Sequence, residues 1–89
     1  MKPYRLLIAW HLWPEIQALP PALRRALYRK FDQLEEHPDA ISEFESVDEK
    51  GRLLDGFIVG RLAFYYWIDF ADRHVKVLAI GPADRGGGR

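Results

Sequence analysis

The chain has 89 residues, enough for one domain and close to the lower limit for a core built without covalent staples. It has no cysteine, which excludes disulfides and thiolate metal sites and fits a reducing cytoplasm. Its 13 basic residues balance its 13 acidic ones, so no global charge draws it to nucleic acid, and its longest apolar run is far too short to span a bilayer.

Lys2–Pro3–Tyr4–Arg5 runs straight into a strand-like segment, so no secretory leader is expected. Residues 4–9 predict a strand, in which Tyr4, Leu6 and Ile8 alternate with Arg5, Leu7 and Ala9. Trp13–Pro14–Glu15 then opens a short helix, with Pro14 in the tolerated first turn and Glu15 near the positive end of the dipole. Trp10 and Trp13 flank its entrance, where packing against a sheet or a partner is expected. Leu19–Pro20–Pro21 ends it, because a residue before proline is pushed out of the helical region.

A second helix starts at Pro21. Leu23, Leu27, Phe31 and Leu34 fall at i, i+4, i+8 and i+11 with Ala26 beside them, and charged residues fill the rest of the circumference. His37–Pro38–Asp39 stops it. The Pro-Pro corner makes the pair an antiparallel helical hairpin with one apolar stripe.

Residues 40–50 read as an acidic connector that ends in SEFESVDEK, with room for a helical turn. Three strands follow, over 52–59, 61–70 and 74–80, with Gly60 near the first turn and Ala71–Asp72–Arg73 in the second. Residues 86–89 read as a flexible glycine-rich tail, leaving one domain over 1–85. The order implies an α+β fold, β-α-α-β-β-β, with an antiparallel sheet and the helical hairpin packed on one face.

The strand over 61–70 is apolar or aromatic on both sides. Leu62, Phe64, Tyr66 and Ile68 point one way and form the core face. Arg61, Ala63, Tyr65, Trp67 and Asp69 point the other way, and aromatic rings with polar ends suit an interface or a stacking surface. Tyr65 and Trp67 are therefore the expected partner-binding residues.

Other chemistry finds little support. His11, His37 and His74 are spread over different elements without metal-ligand spacing, so no metal site is expected. Ser42 and Ser46 have no histidine near them in sequence, Glu43 and Glu45 read as a solvated loop, and the terminal glycines lack the strand-to-helix setting of a phosphate loop. No cofactor is expected.

The element order, the LPPALRRAL…FDQLEEHP hairpin and the block GRLAFYYWIDFADRHVKVLAIGPADR together resemble the RelE/ParE superfamily of toxins from type II toxin–antitoxin systems, over roughly residues 4–85. The resemblance implies a small cytoplasmic toxin, neutralised by an antitoxin that folds on its surface, and compatible with a homodimer or a heterotetramer with that antitoxin. When free, such a toxin inhibits growth under stress. RelE-like members cut mRNA at the ribosome as mRNA interferases, ParE-like members poison DNA gyrase, and some relatives only bind.

Cutting RNA through its 2′-hydroxyl needs a base, cations for the phosphorane charge and an acid for the leaving oxygen. RelE-like members place an arginine three residues before the strand tyrosine; here that position is Leu62, and Arg61 is one place off, on the other face of a strand unless a bulge intervenes. The second family arginine follows the last strand, where this chain has Ala83 and the nearest base is Arg85. A shifted catalytic set of Arg52, Arg61 and Arg85 is thus the expectation under a ribosome-dependent endoribonuclease reading, with Lys50 and Arg73 as RNA contacts. Docking to gyrase needs only a surface.

Overall fold

The computed structural model describes residues 2–83. In chain order the elements are strand β1 (Arg5–Ile8), a 3-10 turn (Trp10–Leu12), helix α1 (Trp13–Gln17), helix α2 (Pro21–Leu34), and strands β2 (Phe44–Val47), β3 (Leu53–Val59), β4 (Leu62–Asp69) and β5 (His74–Pro82). Residue 85 and the tail over 86–89 lie outside the described residues.

The two helices arise as their sequence dictates. Pro14 and Pro21 sit in the first turns, where the missing N–H costs nothing. The corner between them is closed by Arg24, whose guanidinium donates to the backbone carbonyls of Gln17 and Leu19 at 3.1 and 3.0 Å. These carbonyls have no partner within their own helix end, so the arginine acts as a C-terminal cap.

The sheet order is β1-β5-β4-β3-β2. Strands β2 to β5 form antiparallel neighbours, while β1 lies parallel to β5 at one edge, pairing Arg5 with His74 and Ile8 with Val77. The expected α+β fold with a helical hairpin on one face is therefore present, and it is enlarged in two ways. The sheet is mixed, because the chain returns from β1 through both helices before pairing, which is the connection a parallel neighbour needs. The acidic connector contains a strand, β2, in place of a helical turn. Phe44–Glu45–Ser46–Val47 alternates, and an edge strand tolerates charge that a central one does not.

One face of the sheet meets the helices. Leu12, Ile16, Leu27, Phe31 and Leu34 pack on Phe57, Val59, Phe64, Tyr66, Ile68, Val75 and Val77. Phe57 and Phe64 stack at 5.3 Å across β3 and β4. The alternation read from β4 is observed, with Phe64, Tyr66 and Ile68 all buried on this side. Tyr66 is fully buried, and its hydroxyl donates to the Pro38 carbonyl at 2.6 Å, tying the connector to the core. Burial pushes its phenol well above the ordinary range.

Trp13 packs against this core, whereas Trp10 is 82% exposed and is not packed on the sheet, which leaves the partner as the other contact expected for it. It falls in the 3-10 turn, one turn before α1, and so points away from the helix's buried stripe. No helix among the described residues is long and apolar enough to cross a membrane.

Candidate functional site: the open face of the sheet

The register of the central strands decides what stands on the face away from the helices. Tyr65 is opposite Gly56 on β3 and Ala79 on β5, and Ala63 is opposite Ile58 and Gly81. Small residues on both sides leave Tyr65 room. The ring of Phe44 lies over Gly56, where an added Cβ would collide with it, and meets Tyr65 edge-on with centroids 5.5 Å apart. Glycine at 56 is thus required by close approach rather than by backbone conformation.

Trp67 comes next along the strand, opposite Lys76. The ammonium of Lys76 lies 5.1 Å from the Trp67 ring and the guanidinium of Arg52 lies 5.0 Å from it, so one indole carries two cations. At such distances the ring quadrupole attracts each cation. Arg5 and Leu7 of β1, paired with His74 and Lys76, extend the same face to the edge.

Arg52 is held by the turn before β3. Asp48 accepts the backbone N–H groups of Lys50 and Arg52 at 2.9 and 2.8 Å through Oδ1, and its Oδ2 lies 3.0 Å from Arg52 Nε. These bonds, the Arg52 backbone N–H first, keep the Asp48 carboxyl below its ordinary range. Gly51 completes the turn at φ +81. Two cations held over one aromatic ring make a positive patch that can balance anionic groups laid across it.

The structure separates the residues singled out in the sequence into two groups. Lys50, Arg52 and Arg73 lie at the end of the sheet formed by the β2–β3 and β4–β5 turns, with Trp67 just inside it. Arg73 adopts φ 60 and sets its guanidinium 5.5 Å from the Tyr4 ring. Arg61 lies in the β3–β4 turn at the opposite end, and β3 between Arg52 and Arg61 spans about 20 Å.

Arg61 also leaves the open face expected for it. It lines a cleft of about 450 Å³ with Glu15, Leu19, Leu62 and Ile80, between α1 and the sheet. The turn starting at Gly60, φ +62, swings it off the strand's alternation. The bulge that would re-aim a residue is present on β5 instead: Tyr65 pairs with Ala79 and Tyr66 with Val77, leaving Leu78 extra. Ala83 is backbone-bonded to Arg61, its N–H 3.0 Å from the Arg61 carbonyl.

Sequence reasoning missed Lys76, Asp48 and Phe44. Lys76 was recoverable by counting the hairpin register outward from the Asp69–His74 pair; the other two depended on a strand and a turn that the run of acids concealed. The same hairpin brings Asp69, Asp72 and His74 together, with possible ligand atoms within 4.8 Å of one another. Asp69 Oδ1 already accepts the Asp72 N–H at 3.1 Å, which is ordinary turn chemistry.

No protein-family model matches the sequence, and no curated protein does. Solved structures do match in fold. The RelE chain of the archaeal RelE–RelB complex from Pyrococcus horikoshii superposes with a TM-score of 0.80 at 23% identity, covering 94% of this chain and 99% of that one. The toxin–antitoxin complex RelBE2 from Mycobacterium tuberculosis gives 0.73 at 22% identity, covering 94% and 97%. The isolated RelE toxin of E. coli gives 0.70 at 18% identity, covering 94% and 88%. The chain has the fold of the RelE toxins over 94% of its length.

Proposed function

We propose that this chain is the toxin component of a type II toxin–antitoxin pair, neutralised by a bound antitoxin and inhibiting translation or DNA gyrase in the cytoplasm when free. The likeness of its whole fold to RelE chains, one solved with RelB and one in a toxin–antitoxin complex, carries this reading. The open face is its docking surface, and Tyr65 and Trp67 are its partner contacts.

A second reading, ribosome-dependent cleavage of mRNA, is favoured by Trp67 between Arg52 and Lys76. A single strand laid across this ring would bring its phosphates to both cations. In that reading Arg52, Arg61 and Arg85 are the charge-bearing catalytic residues, and Lys50 and Arg73 are backbone contacts on RNA. The separation of Arg52 from Arg61 along β3 supports docking over a shared acid–base set, because groups acting on one phosphate must converge within hydrogen-bond reach.

Induced expression in bacterial cells without an antitoxin tests the proposal. Growth arrest is expected, and mapping of mRNA ends at ribosomal A sites, set against gyrase supercoiling assays, separates the targets. Unimpaired growth would contradict a toxin and leave a binding member of the fold.

A further inference from the structure

The sheet ends on one side at β2, whose outer backbone edge has no neighbour among the described residues. The Asp48 N–H bonds to the Arg52 carbonyl, so the even positions of β2 face β3, and the N–H and C=O groups of Glu45 and Val47 face outward. No proline or lysine blunts this edge.

Beside it, on the helix side, the helices stop short of the sheet. A recess of about 480 Å³ is lined there by Asp39, Glu45, Asp55, Ile68 and Phe70. Phe70 is 61% exposed, and the cross-strand pair Val47 and Leu53, on the same face by alternation, is 62% and 56% exposed. Glu43 is already engaged, by Lys30 at 3.1 Å and by the Ile58 N–H at 3.2 Å. Asp39, Glu45 and Asp55 have no cation partner among the described residues; Asp55 accepts only the Ser42 hydroxyl, at 2.7 Å.

We propose that the outer edge of β2, with this acid-rimmed apolar shelf, takes an extended basic segment of a partner protein as a sixth strand. Main-chain bonds to Glu45 and Val47 supply the pairing, and alternate side chains reach the shelf. Charge complementarity sets the chemistry of the occupant: a basic residue meets the cross-strand pair Glu45 and Asp55, and the apolar residue two places along covers the next pair, Val47 and Leu53, beside Phe70. A second copy of this strand is disfavoured, since its own Glu43, Glu45 and Asp48 would be brought against the same acids. The inference rests on the antitoxin reading only for who supplies the segment.

The test is a titration of the full chain, labelled for NMR, with two amidated peptides, TKTVTKT and TETVTET. The basic peptide should bind about ten-fold tighter, since two exposed ion pairs contribute roughly two- to five-fold each. The Glu45 and Val47 amides should shift and gain exchange protection. Val47→Pro, which removes an outward N–H and no sheet bond, should abolish binding while circular dichroism stays unchanged, and Glu45→Lys should remove most of the preference. Equal binding of both peptides, binding of neither, shifts centred on Trp67, self-association through the same amides, or unchanged binding by Val47→Pro would each overturn the proposal. Since no outcome depends on toxicity, failure here is distinct from failure of the toxin reading.

Discussion

The open face of β3 to β5 and the shelf beside β2 belong to one sheet and carry opposite chemistry. On the open face an indole lies between two cations. On the shelf, exposed Phe70, Val47 and Leu53 are rimmed by carboxylates. Zero net charge over the whole chain conceals both. The period-two alternation of strands makes this possible: adjacent residues such as Glu45 and Phe44 are separated onto different faces, so one short segment serves both regions.

The sharpest way to separate the regions is Trp67→Ala. Under the RNA-cleaving reading, loss of one aromatic contact to a base costs about 1–3 kcal/mol, so affinity for a short single-stranded RNA should fall by roughly five- to 150-fold. Fluorescence anisotropy measures it, and binding of TKTVTKT should not change. Equal losses at both sites would mean that the regions are not independent.

Gly56→Ala should disturb both at once. The new methyl group collides with the Phe44 ring, which must leave Tyr65 or shift β2, at a cost of about 1–3 kcal/mol in denaturant unfolding. Phe44→Leu in the same background should recover part of the loss.

Tyr66→Phe acts from beneath the shelf. It leaves the Pro38 carbonyl without its donor and should cost about 1–2 kcal/mol. The raised phenol makes the linkage explicit: its contribution is complete below the ordinary tyrosine value of 10.0 and is lost as pH rises through the higher folded value. Wild-type stability should therefore decline in strong alkali, and the phenylalanine variant should lose that component of the decline.

The smallest effect is at Asp48. Its depressed carboxyl gives a contribution present above the ordinary value of 3.8 and lost as pH falls through the lower folded value. In acid the side chain should release Arg52 from Trp67, seen as a change in Trp67 ring shifts that Asp48→Asn shows already at neutral pH. The shelf should be silent in that experiment.

How far each region was legible in the sequence follows from its elements. The open face was readable because β4 is long and alternates without interruption, so Tyr65 and Trp67 were placed from spacing alone. The helix α2 was equally plain from its leucine stripe. The shelf was not readable. β2 has only four residues, and its acids suggested a solvated loop until pairing with β3 gave them a face. The parallel partnership of β1 with β5 was hidden for a related reason, since it joins segments almost seventy residues apart. Arg61 was misplaced because alternation was extended one residue past the end of its strand, into a turn that obeys Gly60 instead.

Growth after induced expression without an antitoxin, compared among wild type, a Trp67→Ala/Lys76→Ala double variant and Glu45→Lys, tests the central claim that the open face meets the cellular target. Wild type and Glu45→Lys should arrest growth, and the double variant, folded by circular dichroism, should grow. Arrest by the double variant together with loss of toxicity in Glu45→Lys would contradict the account.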